Sequence, residues 1–197
     1  MRICAIIVAG GRSSRMGREK ALALVHGRTL VERVIDALSA QVDAVAINAN
    51  GDVARFGMTT LPVFGDLRND IGTPLAGLHA ALTHAVQHGF DAVLTTPSDA
   101  PFLPHDLVAR LATAGQPAAI AASGGREHYL TGLWSSNLLG DLEKALSQAC
   151  TPRMQDWARH CHAAVVEWPI TSHDPFFNAN TPGELAEAER IAAEFAP

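Results

Sequence analysis

Short apolar runs alternate with longer amphipathic stretches along the chain, a pattern that predicts an α/β fold. The first run, Ile3 to Val8, is mostly β-branched and predicts a strand. Thr29-Leu30-Val31-Glu32 has capping-box spacing and opens a predicted helix to about Ala40, with Leu30, Val34 and Leu38 on one face. Ala44 to Asn48 predicts a second strand, followed by a helical turn near Asp52 to Phe56 and an apolar run, Leu61 to Phe64, that ends in Gly65-Asp66. Thr73-Pro74 puts proline at a first helical position, and Leu75, Leu78, Leu82 and Val86 form a helix stripe that stops before Gly89.

Ala92 to Thr96 is apolar without alternation, as a buried parallel strand should be. A helix over Pro104 to Ala114, strands over Ala118 to Ala122 and Tyr129 to Ser135, and a helix from about Asn137 to Gln148 follow. The two strands flank Ser123-Gly124-Gly125-Arg126-Glu127, and the second alternates Leu130, Gly132 and Trp134 with Thr131, Leu133 and Ser135. Thr151-Pro152 opens a helix to about His160, Ala163 to Trp168 is a late strand, and Thr181-Pro182-Gly183-Glu184 caps the last helix. Together these elements predict one domain over residues 1–197: a three-layer, doubly wound, mostly parallel sheet with helices on both faces and right-handed crossovers. Ligands of such sheets sit beyond the carboxyl ends of the strands.

Composition narrows the partners. The chain has 197 residues, 48% of them hydrophobic, enough for one substantial core. A formal charge of −5, only 6% aromatic residues and no lysine-rich tract argue against DNA or RNA. No stretch approaches the ~20 apolar residues of a membrane span, and the apolar start runs straight into a polar loop, so neither a membrane location nor a cleaved signal peptide is expected. Cys4, Cys150 and Cys161 are an odd number without a Cys-x-x-Cys pair, which fits a reducing cytoplasm and no disulfide framework or structural zinc.

Positive charge is instead local. Directly after the first strand stand Val8, Ala9, Gly10 and Gly11, then Arg12, Arg15, Arg18 and Lys20. The glycines let the backbone turn and bring N–H groups to a phosphate, while Arg15 and Lys20 reach it from the side. Neither a Walker A loop nor a dinucleotide fingerprint fits the spacing. What remains is Gly-Gly-x-x-x-Arg-Met-Gly-x-x-Lys, whose first five fixed residues arise by chance in about one chain of this size in ten thousand.

Four further segments carry candidate chemistry. Asp99, fixed between Pro97 and Pro101 at a strand end, suits Mg²⁺ held by a carboxylate and substrate phosphates, or is a turn aspartate. Asp66 is an outer carboxylate, a partner for a ribose hydroxyl, or a solvated loop residue. Asn48 reads a base edge or ribose, or caps the turn at Asn50-Gly51. Asn178 and Asn180, two apart before a helix N-terminus, either hold the phosphate and ring amides of a second substrate or belong to an ordinary cap. His84 with His88, and His160-Cys161-His162, read as a solvated helix face and a helix end rather than metal sites.

With Asn48-Ala49-Asn50, Gly72-Thr73-Pro74-Leu75-Ala76-Gly77, Pro97-Ser98-Asp99-Ala100-Pro101-Phe102 and Phe177-Asn178-Ala179-Asn180-Thr181-Pro182, the chain resembles the molybdenum cofactor guanylyltransferases, the MobA family of Rossmann-like nucleotidyltransferases. The resemblance implies transfer of GMP from GTP to molybdopterin, or Mo-molybdopterin, with release of pyrophosphate. It implies that Val8, Ala9 and Gly10 contact the nucleotide, Lys20 grips its phosphates, Asn48 and Asp66 bind GTP, and Asp99 binds Mg²⁺; the residue types themselves add Gly11 and Arg15 to the nucleotide side and Asn178 and Asn180 to the acceptor. Related cytidylyltransferases typically have Ala-Ala-Gly where this chain has Ala9-Gly10-Gly11, so Gly10 is expected to leave room for guanine. Departures from the family pattern are Arg18 for Gly, Glu19 for Asp and Gly183 for Glu. The expected state is a cytoplasmic monomer that exchanges with cofactor-delivery and molybdoenzyme chaperone proteins. The rival readings are a relative using CTP or a sugar-phosphate acceptor, and a non-catalytic GTP-binding accessory protein.

Overall fold

The computed structural model describes residues 1–10, 20–68, 70–71, 73–115, 117–147 and 152–194. Its centre is β1 (Ile3–Val8), all six of whose residues are buried because the strand has neighbours on both edges and helices on both faces. β4 (Ala44–Asn48) and β6 (Ala92–Pro97) pair with it in parallel, and β5 (Val63–Phe64) extends the sheet beyond β4. β8 (Arg126–Ser135) then runs antiparallel between β6 and β7 (Ala118–Ser123), and β9 (Ala164–Trp168) joins β7 in parallel. The order is β5-β4-β1-β6-β8-β7-β9, with a separate hairpin of β2 (Leu24–Val25) and β3 (Arg28–Thr29).

One face of the sheet carries α1 (Leu30–Ser39) and α3 (Leu107–Thr113), through Val31, Val34, Leu38, Leu107 and Leu111. The other carries α2 (Leu75–Gln87), α4 (Leu139–Leu146) and α5 (Met154–His160), through Leu75, Leu78, Leu82, Leu142 and Trp157. The three layers are those the hydrophobic pattern implies. A third cluster, Val25, Leu30, Ala179, Ala188 and Ala192, ties the hairpin to α6 (Pro182–Glu194) and to the segment before it. Each fully buried aliphatic side chain such as Leu30 contributes about 1.5–3 kcal/mol.

Several local expectations shift. Val86 is exposed, whereas α2 is buried all round from Leu75 to Leu82, because that part lies on the middle of the sheet under α4. Pro74 caps α2 instead of entering it, α3 begins at Leu107, and α5 begins at Met154, with Asp156 accepting a bond from the Arg153 N–H. The alternation in Tyr129 to Ser135 does not mark a wet face: Thr131 to Ser135 are all buried, since helices cover both sides. β8 also starts earlier, at Arg126, joined to β7 by Gly124 and Gly125 at positive φ, the two-residue turn that matches strand twist. A register shift between Ile120 and Ala121 re-aims the outer part of this hairpin.

The Thr29 capping box forms as its spacing implies: the hydroxyl accepts from the Glu32 N–H at 3.2 Å and the Glu32 carboxylate accepts from the Thr29 N–H at 2.8 Å. Thr29→Ala should therefore lower stability by about 1 kcal/mol, seen as a lower urea midpoint with an unchanged slope.

Candidate functional site

Because β1, β4, β5, β6, β7 and β9 all run the same way, their carboxyl ends line one edge of the molecule. Backbone bonds lock that edge: the Ala9 N–H donates to the Asn48 carbonyl (2.8 Å) and the Ser98 N–H to the Val8 carbonyl (3.2 Å). Val8, Ala9 and Gly10 thus emerge between Asn48 and Asp99. Gly11 and Arg15 lie outside the described residues, as do Arg12 and Arg18.

Lys20 opens a 3-10 turn (Lys20–Leu22) whose Ala21 is buried against α1. Its ammonium donates to Asp99 Oδ2 and to Asn180 Oδ1, joining residues 79 and 160 positions apart. The pair is mostly enclosed, with Lys20 17% and Asp99 12% exposed. Burial pushes the ammonium down from its ordinary value, to about 8, and the Glu184 carboxylate pulls it back up. The other oxygen of Asp99, Oδ1, is buried and has no partner among the described residues. An orphaned carboxylate oxygen in an enclosed site is costly, and a divalent cation or a ligand donor would satisfy it.

Asn178 and Asn180 stand beside this pair. The Ala179 N–H between them donates to the Asp99 carbonyl (3.1 Å), and Ala179 is fully buried in the cluster with Val25 and Leu30. The Asn178 amide nitrogen bonds the Phe176 carbonyl (3.3 Å), which leaves its buried Oδ1 without a partner among the described residues. Thr181 and Glu184 do build a helix cap, yet the Glu184 carboxylate accepts from the Asn180 N–H (2.8 Å). The cap thus holds Asn180 by its backbone, and of the two amide side chains Asn178 Oδ1 is the atom left without a partner among the described residues.

Asn48 is 1% exposed, donates weakly to the Phe64 carbonyl (3.4 Å) and lies where a Cβ on Gly77 would come within 3.1 Å of its Oδ1. The residue that meets Asp66 is Asn50, present in the Asn48-Ala49-Asn50 segment but given no role from sequence beyond the turn: its Nδ2 donates to Asp66 Oδ2 (2.7 Å) and its Oδ1 accepts from the Asp66 N–H (2.8 Å). Sequence spacing alone does not mark this pair, because the alignment of 50 with 66 follows from the parallel register that sets Asn48 beside Phe64. Asp66 Oδ1 is again buried and unpartnered among the described residues. At Gly10 an added Cβ would meet nothing within 4 Å, and its φ is not positive, so neither packing among the described residues nor backbone strain demands glycine there.

The sequence reading also missed a cluster at the far end of the same edge. Ser123 Oγ donates to Asp174 Oδ1 (2.7 Å) and lies 2.8 Å from His128 Nε2, with His128 tilted against Phe176 at 4.9 Å. Cys4 and Cys161 are free, buried and pushed up to about 12 by desolvation, so they are inert. Among the described residues no group of three or more His, Cys, Asp or Glu is poised to hold a metal.

The family of MobA-like NTP transferase domains matches residues 5–165. Relatives named molybdenum cofactor guanylyltransferase include one from Rhodobacter capsulatus, 46% identical over 198 residues and spanning 100% of both chains. Another, from Rhodopseudomonas palustris (strain HaA2), is 48% identical over 95% of this chain and 91% of its own. The chain belongs to the MobA-like nucleotidyltransferases. A solved structure named molybdopterin-guanine dinucleotide biosynthesis protein A, from Archaeoglobus fulgidus, shares the fold with a TM-score of 0.72 at 24% identity, over 98% of this chain and 99% of that one. So does 4-diphosphocytidyl-2C-methyl-D-erythritol synthase from Anaerococcus prevotii, at TM-score 0.74 and 16% identity over 98% and 96%.

Burial holds His128 below the ordinary imidazole value of 6.5, against the pull of Asp174; Arg126 pushes down and Glu167 up. His84 and His173 are displaced the same way by burial. The unfolded chain then takes up more protons than the folded one as pH drops through 6.5, so stability is full above that value and falls below it. The urea midpoint should be lower at about pH 5.5 than at about pH 7.5, and His128→Asn should flatten the difference; equal midpoints in the wild type would refute the buried neutral histidines.

Proposed function

We propose that this MobA-like nucleotidyltransferase transfers GMP from GTP to molybdopterin, forming molybdopterin guanine dinucleotide and releasing pyrophosphate. The observation that carries this reading is the meeting of Lys20, Asp99 and Asn180 at one point, where the nucleotide loop, the β6 end and the segment before α6 converge. A nucleotide-binding module has no need of an acceptor segment pinned to its acidic residue. The names of the relatives supply the two substrates.

Val8, Ala9 and Gly10 line the nucleotide, with Gly11 and Arg15 of the same loop assigned to its phosphates. Asn48 and Asp66 serve the nucleoside side, Asp66 being aimed by Asn50. A terminal phosphate oxygen of molybdopterin forms a bond to the α-phosphorus of GTP as the bond to pyrophosphate breaks, with no covalent protein intermediate. The orphaned Oδ1 of Asp99 fits Mg²⁺, which when bound supplies counter-charge to the phosphates of the leaving group. Lys20, already charged beside Asp99, and Arg15 add the remaining counter-charge. Asn178 Oδ1 accepts a ring N–H of the acceptor, and Asn180 orients its phosphate. No described helix is long and apolar enough to cross a membrane, and the free buried thiols Cys4 and Cys161 suit a cytoplasmic enzyme.

Pyrophosphate release measured with each of four nucleoside triphosphates, with and without molybdopterin, tests the reading. Release with GTP alone among them, and only when molybdopterin is present, is expected; tight GTP binding without release would mean an accessory protein. Asp99→Ala should lower turnover about 10²–10³-fold in the same assay.

Gly10→Ala separates base choice from folding. With no described atom near the new methyl, the urea midpoint should move by less than about 0.5 kcal/mol equivalent. The ratio of kcat/KM for GTP to that for CTP should fall at least about tenfold, and an unchanged ratio would remove Gly10 as base selector.

A further inference from the structure

Ser123 ends β7 and is 2% exposed, His128 lies early in β8 and is 9% exposed, and Asp174 lies in the loop after β9. All three lie at the carboxyl edge of the sheet, on the side of β6 away from the nucleotide loop. The hydroxyl of Ser123 has one proton, and it goes to Asp174, whose carboxylate can only accept. His128 Nε2 must therefore carry the proton that faces Ser123. With its hydroxyl donating to Asp174 and accepting from His128, Ser123 lacks the imidazole acceptor that activates a nucleophilic serine. The arrangement is a brace.

What it braces is the acceptor segment. Asp174 Oδ1 accepts a second bond, from the Phe176 N–H (2.9 Å), and the Asp174 carbonyl accepts from the Phe177 N–H (3.1 Å). Phe176 is 2% exposed, wedged between the His128 ring and the edge of Trp168 at 5.3 Å. Trp168 is in turn held by Asp106, which accepts from its indole N–H (2.9 Å), and by the Arg110 guanidinium over its ring. Two residues on, the Phe176 carbonyl fixes the Asn178 amide, and the Asn178 carbonyl accepts from the Asn180 amide (3.4 Å). From Ser123 to Asn180 the chain of contacts is continuous, and at its other end the Ala179 N–H bond to the Asp99 carbonyl and the Lys20 bond to Asn180 Oδ1 tie the same segment to the nucleotide side.

We propose that Ser123, His128 and Asp174 are positioning residues for the second substrate: they hold residues 174–180 so that Asn178 and Asn180 meet the acceptor, without touching either substrate. This rests on the acceptor role given above to those two asparagines. Because the brace and the nucleotide loop lie on opposite sides of β6, linked through Asn180 to Lys20 and through Ala179 to Asp99, its loss should be felt more by the second substrate than by GTP.

The test compares Asp174→Ala, which removes the acceptor of the Ser123 and Phe176 bonds, with Asp174→Asn, which keeps an acceptor oxygen; Ser123→Ala removes the hydroxyl's bonds to Asp174 and His128 and keeps the Phe176 bond. Two readouts are taken on the full chain: amide hydrogen exchange, and KM for molybdopterin against KM for GTP in pyrophosphate release. Asp174→Ala should speed exchange at the amides of Phe176, Phe177 and Ala179 and leave those of β1 unchanged. It should raise the molybdopterin KM roughly tenfold or more, with a much smaller change in the GTP KM, and Asp174→Asn should recover most of both effects. Unchanged exchange in residues 174–180, or equal changes in the two KM values, would overturn the brace. Absence of any molybdopterin-dependent turnover in the wild type would overturn the function instead, and the exchange experiment would still decide whether the segment is held.

Discussion

Everything at the working edge of this protein depends on β1 being hydrogen-bonded on both sides at once. Parallel pairing to β4 and β6 aligns Val8 with Asn48 and Pro97 in one transverse row, so three loops must leave the sheet at the same level. The rows of backbone bonds leave no freedom for one strand to slide, because a one-residue slip would turn its buried side chains toward the wrong layer. The bonds from Ala9 to Asn48 and from Ser98 to Val8 carry that alignment one residue past the strands. Residues far apart in sequence are therefore placed by the sheet and need little from their own loops.

Onto this frame the chain adds one polar junction. Lys20 arrives from the nucleotide side, Asp99 from the central strand and Asn180 from the C-terminal segment, and the three meet in a mostly enclosed space. A charge pair in such a place gains from the low dielectric and is costly to break from one side alone. The small apolar cluster around Val25, Leu30 and Ala179 holds the approach of both outer partners. Stability and function share this junction: the residues that close it on the free protein are those assigned to the substrates.

The site is also divided. Asn50 with Asp66 on the β4–β5 side, and Ser123 with His128 and Asp174 on the β7–β9 side, are two buffering pairs of contacts that aim the outer residues without standing in the centre. The register shift in β8 brings His128 next to Ser123, and the tight Gly124-Gly125 turn keeps the hairpin short enough for Asp174 to reach it. The antiparallel β8 thus separates the parallel strands that lead to Asn50 and Asp99 from the one that carries Ser123.

Local signals in the sequence were sufficient wherever a short-range interaction decides the outcome. The Thr29 and Thr181 caps, the buried strands Ile3–Val8 and Ala92–Pro97, and the layered α/β plan follow from residues within a few positions of one another. Periodicity could not tell that Thr131 to Ser135 are dry on both faces, that Val86 stands clear of the core, or that β8 runs backwards, since each depends on what other elements cover. The same limit applies to chemistry. The sequence by itself determined which residue types were present to hold phosphate, metal and amide, but only the tertiary structure decided that Lys20, Asp99 and Asn180 meet, that Asn50 and not Asn48 grips Asp66, and that Ser123, His128 and Asp174 form one cluster. Those contacts are side-chain bonds between segments brought together by the sheet, whose distances depend on strand order and register and leave no trace in local spacing.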